Sequence, residues 1–317
     1  MDAASQTSGR ADTARGERPA ISVVVPCYNG GRFLDGFMTS IAKQTFQNFE
    51  IIIVDDGSND PASIAKFAEL EKAGTVRILH QENRGMSGAR NTGIRAARAD
   101  LVLVLDCDDM IEPPFLSEAV DILRPAPANV GAVFSHKRLV GAGHGDLERH
   151  FNRFDLLFTN TMPSCMLLRK SCLDAIGLYD ETLRDGYEDW EFNLRLAIAG
   201  FDAIEIPKPY HVYRVSEQGM LFSRSSAAHA RLWRAIRRKH AAPYRPWAIL
   251  KVWWAQRGTN AHVSLQKALA AYLMALVLPD KWFTYLVVGL RRRHLIEGHR
   301  PAYTGQAPVA LNAVKHG

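Results

Sequence analysis

The sequence predicts an α/β fold with a Rossmann-like, mostly parallel central sheet flanked by helices. Three observations carry this expectation. Through the first 110 residues, short runs of Val, Ile and Leu alternate with segments of helical spacing. The runs are apolar at nearly every position, as strands covered on both faces are. Three of them stop abruptly in turn-forming or acidic residues, in "VVVPCYN", "IIIVDDGS" and "LVLVLDCDD".

Each element follows from its local pattern. "ISVVVPCYN" (21–29) reads as a buried strand stopped by Pro26. Residues 32–45 carry Phe33, Leu34, Phe37, Ile41 and Ala42 at helical spacing. A second strand and its turn occupy 49–58, and a helix with Pro61 near its start runs over 61–72. A third strand is expected at 75–81, a helix at 86–98 despite its glycines, and a fourth strand at 100–109. This alternation implies right-handed βαβ units. After residue 130 the pattern loosens. Strands are expected at 130–140 and 163–170, with a Gly/His-rich loop at 141–146 between them. A short helix at 171–181 is ended by Gly177. The helix at 187–200 has acids in its first turn and Gly200 at its end. Residues 201–215 are extended and interrupted by prolines.

The chain has 317 residues, 47% hydrophobic and 23% charged, enough for a sizeable core in one large domain with an appendage. Residues 1–19 read as a disordered leader without the apolar run of a secretory signal. Cys27, Cys107, Cys165 and Cys172 form no CxxC pair, so reduced thiols in a cytoplasmic protein are expected. The net charge of +6 hides an asymmetry: residues 231–300 hold 14 Lys and Arg against two acids, leaving the front of the chain net acidic.

Ligands of such sheets bind outside the carboxyl ends of the strands, which puts Asp55, Asp56, Asp106, Asp108 and Asp109 along one crevice. Neither a G-x-G-x-x-G after the first strand nor a P-loop sequence is present, which argues against ordinary dinucleotide and P-loop sites. Asp106-Cys107-Asp108 is a D-x-D pattern. On a strand its carboxylates share a face, where they are solvated, paired with basic groups or bound to Mg²⁺ or Mn²⁺. Asp55-Asp56 reads either as an ordinary turn or as a hydrogen-bonding partner of a base or ribose. In "NRGMSGARNTG" (83–93), Arg84 and Arg90 meet phosphates or are simply solvated. Glu188-Asp189 at a helix start are dipole partners, or one of them is a general base kept ionised by the dipole.

Six motifs in order ("VVVPCYN", "IIIVDDGS", "NRGMSGARNTG", "LVLVLDCDD", "MPSCMLLRK…GLYDE" and "YEDWEFNLRLAIAG") resemble the family-two glycosyltransferases over about residues 20–216. The resemblance implies a GT-A fold in a domain at 20–226, with a nucleotide-binding part at about 20–110 and an acceptor part at about 111–226. It further implies a nucleotide-sugar donor (a UDP-sugar by default), a divalent metal and inversion at the anomeric carbon. Pro26, Tyr28, Asp55 and Asp56 would then frame the base and ribose, Arg84 and Arg90 would help hold the nucleotide, and Asp106 would face the ribose or the metal. Asp108 would be the main metal ligand, supported by Asp109. Asp189 would be the catalytic base, with Glu188 as the second candidate. His211 occupies a place where some relatives carry a further metal ligand or a phosphate contact; otherwise it is a packed or surface histidine. Cys107 is a small central residue of the metal motif, open to oxidation if exposed.

The resemblance ends before a basic, Trp-rich helical extension at 227–300 and a flexible tail at 301–317. In the extension the longest apolar run, Ala268–Leu278, falls short of the roughly 20 residues of a membrane span. Helices lying on an anionic membrane surface (229–294) suit it, as do helices covering the domain or forming a homodimer; no nucleic-acid motif is present. A glycan or lipid-linked acceptor fits the first of these, at the cytoplasmic face of the plasma membrane. The competing functions are a sugar-phosphate nucleotidyltransferase, for which "PCYNGGRFL" lacks the basic glycine-rich loop, and a non-catalytic nucleotide-binding membrane protein.

Overall fold

The computed structural model describes residues 18–216, 228–259 and 261–286. Most of the expected leader, residues 217–227, residue 260, the end of the extension (287–300) and the tail (301–317) lie outside the described residues.

The first strand, β1 (Ile21–Cys27), pairs in parallel with β2 (Phe49–Asp55) on one side and β4 (Leu101–Val104) on the other; β3 (Arg77–His80) extends the sheet beyond β2. Pro26 does not stop β1. The ladder to β4 has already ended at Val24, so the missing N–H is not needed on that side, and Pro26 pairs with Val54 on the other. Next to β4 lies the antiparallel β8 (Met166–Arg169), followed by β6 (Val130–Gly141) and β9 (Asp202–Val215), which run parallel to each other. Short β5 (Met110–Ile111) closes the row against β9, and β7 (Gly145–Leu147) pairs with β6.

Alternate residues of the central strands feed two separate cores, which is why these strands lack a polar face. Val24, Ile52, Val54, Val102 and Val104 point to one layer. It is filled by α3 (Gly85–Ala96), α5 (Lys170–Ile176) and α6 (Glu188–Ile198). Val23, Val25, Ile51, Ile53 and Leu103 point to the other. There α1 (Leu34–Ala42), α2 (Pro61–Ala73) and α4 (Phe115–Leu123) cover the sheet. Two local signals fix α2: the Asp60 side chain caps the Ser63 amide, and Pro61 opens the helix. Helix α3 lies close on β1 because Gly93 has no side chain; a Cβ there would stand 2.3 Å from Val24 Cγ1.

The extension begins with α7 (His229–Lys239), continues through α8 (Pro246–Gln256) and α9 (Leu265–Val277), and is helical again over 280–286. Its inner face joins the α6 layer through Trp233, Ile236, Tyr244, Ile249 and Phe283. The Trp233 indole donates to Leu157 O at 3.1 Å and stacks on Phe283 at 5.5 Å between centroids. Four of the five Lys and Arg side chains of α7 are used internally. Arg231 pairs with Asp185, Arg234 with Asp280, and Lys239 with Asp180 and Glu191, while Arg237 lies over the rings of Trp233 and Tyr272.

Candidate active site

Parallel register brings the strand ends to one level: Cys27 stands beside Asp55, and Asp55 beside His80. Beyond β1, Asn29 adopts a left-handed conformation (φ 51°) and its side-chain oxygen accepts from the Asn59 and Asp60 amides, tying the two loops together. Tyr28, at the same edge, is 50% exposed. Asp55 accepts from the Ser58 amide and is 2.9 Å from His80 Nδ1. Buried Asp56 accepts from Gln81 Nε2 and from the amides of Arg84 and Gly85 at 2.8 Å, which fastens the start of α3. Arg84 itself pairs with Glu181 at 2.7 Å.

The D-x-D segment differs from its expected form. Strand β4 ends at Val104, and the Leu105 amide closes on Val24 O. Asp106, Cys107 and Asp108 therefore lie on a turn, closed by the Asp109 amide donating to Asp106 O at 3.1 Å. Each carboxylate there has its own surroundings. Asp106 receives the Arg90 guanidinium on both oxygens, at 2.9 and 3.1 Å. Buried Asp109 lies 2.8 Å from His211 Nε2 and accepts from the Arg214 amide at 3.0 Å. The Asp108 carboxylate has no ion-pair partner within 4 Å among the described residues; its own backbone amide and the charge of Arg214 favour its charged form but are outweighed. Burial, then the charges of Asp109 and Asp106, push its carboxyl up to about 7; burial and Asp106 do the same to Asp109. Cys107 fits over Gly30, where a Cβ would lie 2.5 Å from its Sγ. A hydrogen bond with Cys27, followed by burial, holds the Cys107 thiol well above its usual range, which leaves little reactive thiolate. All four cysteines are free.

Arg90 is 2% exposed on its side chain and spans the site. One nitrogen reaches Asp106; the other donates to Glu188 Oε1 at 3.0 Å. Burial opposes its charge, but Asp106 and Glu188 outweigh burial and hold the guanidinium above its usual range. The structure thus gives Arg90 two protein carboxylates rather than an open face for phosphate. Glu188 is correspondingly buried, and burial pushes its carboxyl up to about 7. Its neighbour Asp189 is half-buried: Oδ2 accepts from Asn160 Nδ2 at 2.9 Å and Oδ1 from the Trp190 amide. Asn160 also accepts from Asn193, so it is itself fixed to α6.

Three polar residues near the acids have no motif in the sequence. Burial and the charge of Arg149 push the Lys137 ammonium down to about 8, against the opposing pull of Asp109 and Asp189. Burial also lowers Arg149, with Asp189 opposing. Tyr213 lies under Lys137, 4.1 Å from ring centroid to Nζ. Lys137 and Tyr213 reach the acids through neighbouring positions on β6 and β9, and Arg149 from the loop after β7, where the carbonyls of Asn160 and Met162 hold its guanidinium.

A divalent cation was expected at Asp106, Asp108, Asp109 and His211. No three of these bring ligand atoms within 4.8 Å of one another; Asp106 is held by Arg90, and Asp109 pairs with His211. The residues still fit a cation in a looser form. Asp108 is an oxygen donor without an ion-pair partner among the described residues, and burial keeps His211 neutral with its Nδ1 buried and without a hydrogen-bond partner there. Among the described residues, the group that does close to 4.8 Å is His150, Asp155 and His262. There His262 Nδ1 is 3.0 Å from both ring nitrogens of His150, with the rings at 80°, so it meets the ring rather than a lone pair. Asp155 spends its oxygens on the His262 and Val263 amides and on His150, and so anchors the segment before α9.

The strained Asp108 makes a pH prediction. Its folded value lies above the unfolded one of 3.8, so ionising it costs stability progressively from that value up through about 7. Metal-free Asp108→Asn protein is expected to melt about 2–4 °C above wild type at pH 8, with the gain shrinking as pH falls toward 4. Calorimetry across that range checks this; a gain independent of pH would show that the carboxyl is not strained.

Residues 22–177 match the profile described as Glycosyl transferase family 2. The chain is 40% identical over 111 residues to "Glycosyltransferase GlyG" of Streptococcus pneumoniae serotype 4, covering 35% of this chain and 37% of that protein. It is 38% identical over 104 residues to "Putative glycosyltransferase EpsH" of Bacillus subtilis, covering 32% and 30%. The chain thus spans about a third of the length of these curated relatives. Among solved structures, it is similar to S. aureus TarS 1-349 in complex with UDP-GlcNAc (TM-score 0.59, 19% identity, 88% of this chain and 91% of that one). It is also similar to mannosyltransferase PcManGT from Pyrobaculum calidifontis in complex with GDP-Man and Mn²⁺ (TM-score 0.53, 21% identity, 89% and 88%). These likenesses give the fold as GT-A.

Proposed function

This chain belongs to glycosyl transferase family 2 through residues 22–177, and on that premise we propose that it moves a sugar from a nucleotide-sugar donor to an acceptor hydroxyl with inversion, in the assembly of a cell-surface glycan. One observation carries the reading. Arg90 bonds Asp106 on one side and Glu188 on the other, so the D-x-D turn and the acidic start of α6 face the same crevice.

In this reading the roles divide by what each side chain is already doing. Asp189 is the base: it is half-buried and oriented by Asn160, and it takes the hydroxyl proton as the acceptor oxygen attacks the anomeric carbon. A single displacement needs one such base, whereas a glycosidase places two carboxyl groups about the scissile bond. Glu188 and Arg90 are the frame. Tyr28 offers an exposed ring to the base, and the Asp55 and Asp56 loops shape that end of the crevice. A divalent cation, Mg²⁺ or Mn²⁺, held by Asp108 with Asp109 and His211 behind it, would neutralise charge on the leaving diphosphate when bound. Lys137 and Arg149 supply positive charge close to the acids. A UDP-sugar is the proposed donor; the TarS structure holds UDP-GlcNAc. The acceptor is proposed to be a glycan or a lipid-linked hydroxyl, and the site of action the cytoplasmic face of the plasma membrane.

A thermal-shift panel of nucleotide sugars, with and without Mn²⁺, tests the reading. One donor at 100-fold its Kd should stabilise the protein by about 2.7 kcal/mol, and only when metal is present. A panel without a responding donor would remove the proposal.

A further inference from the structure

We propose that α8, α9 and the helical stretch 280–286 form a surface that lies on an anionic lipid bilayer. These three segments are apolar on both sides. Ala248, Ile249, Ala268, Ala275 and Phe283 face inward and are buried in the domain. The outward side of α8 carries Trp247, Leu250 and Trp254, spaced three and four apart and 46–62% exposed. Helix α9 continues the stripe with Leu273, Leu276 and Val277, and the last stretch with Trp282, Tyr285 and Leu286, all exposed. A helix apolar all round belongs in a core or against lipid, and here the core accounts for only one side.

The charges name the occupant. Lys251, Lys267 and Lys281 are exposed along this surface and have no ion-pair partner among the described residues. Of the α7 cations, by contrast, Arg231, Arg234, Arg237 and Lys239 are spent on protein carboxylates and rings, and only Arg238 is left exposed without either among the described residues. Asp280 is the sole acid among residues 228–286, and it is taken by Arg234. A second copy docking here would bring lysines against lysines with no free acid to meet them. Anionic headgroups supply the missing charge, and basic residues near such a surface are attracted to it. Among the described residues, no helix is long and apolar enough to cross a membrane. The segments therefore lie in the interface, with Trp side chains at headgroup depth and lysines reaching outward.

This surface does not rest on the transferase reading. The test is flotation of the full-length protein with phosphatidylcholine vesicles, alone or mixed with equal phosphatidylglycerol. The protein should float with the anionic vesicles and be released by salt. The triple variant Trp254→Glu, Leu276→Glu, Trp282→Glu should lower the bound fraction at least about tenfold, with its circular dichroism and donor-induced thermal shift unchanged. Lys251→Gln, Lys267→Gln, Lys281→Gln should erase the preference for anionic vesicles. Absence of flotation at low salt, or flotation of the Glu variant equal to wild type, would overturn the proposal. So would a wild-type dimer that the Glu variant converts to monomer, since that assigns the surface to self-association. Parallel donor thermal shifts keep failure of the surface distinct from failure of the transferase reading.

Discussion

Asp189→Asn is expected to lower kcat by about 10²–10⁴-fold while donor binding, read by thermal shift, stays at the wild-type level. The amide preserves the shape of the side chain and can keep one of the two hydrogen bonds on its single oxygen, the Trp190 amide, while its NH2 then faces the Asn160 donor, so the loss reports basicity together with part of the placement, and Asn160→Ala measures that second share. The neighbouring acid makes the contrast. Glu188 is buried and bonded to Arg90, so Glu188→Gln should act mainly on stability. Asn160→Ala should lower kcat less than Asp189→Asn does, because the base remains and only its orientation is lost. If Asp189→Asn turned over within tenfold of wild type, the base would have to be sought elsewhere. Single-turnover rates with saturating donor separate these outcomes from product release.

Arg90→Met is expected to destabilise the protein by about 3–5 kcal/mol in chemical denaturation. Removing the guanidinium leaves Asp106 and Glu188 facing each other's charge in a buried setting, without the cation that both use. Their repulsion then acts on the two parts of the site that must stay together. Arg90→Met combined with Glu188→Met should recover part of the loss, since one orphaned carboxylate disappears with its partner. A loss below about 1 kcal/mol would mean that the site hydrates freely and that the pair is not the frame.

The central strands were legible because burial on both faces removes the polar alternation that makes most strands ambiguous. Ile21–Cys27 and Phe49–Asp55 are where the apolar runs put them, and α2 starts at its Pro61 signal. The end of β4 was not legible. Leu105 is as apolar as Leu103, and what ends the strand is the loss of a ladder partner beyond Val24, which sequence pattern does not record. The same holds for the site. The acids Asp55, Asp56, Asp106, Asp108, Asp109 and Asp189 are visible as clusters at strand and helix ends. That Arg90 belongs to Asp106 and Glu188 is a pairing over 16 and 98 residues. Lys137 and Arg149 sit among ordinary surface-like residues in the sequence; Lys137 becomes part of the site through the β6–β9 ladder, and Arg149 through its bonds to the Asn160 and Met162 carbonyls.

The carboxylate of Asp56 has a further effect. In many nucleotide-binding sheets, free amides at the start of a helix receive the phosphates. Here the Arg84 and Gly85 amides at the start of α3 are already plugged by Asp56. The protein has filled half of this anion port with an internal anion. An external anion at that helix end would have only the later amides of the first turn to meet, so more of its countercharge would have to come from side-chain cations, whose attraction is screened by salt as backbone bonds are not.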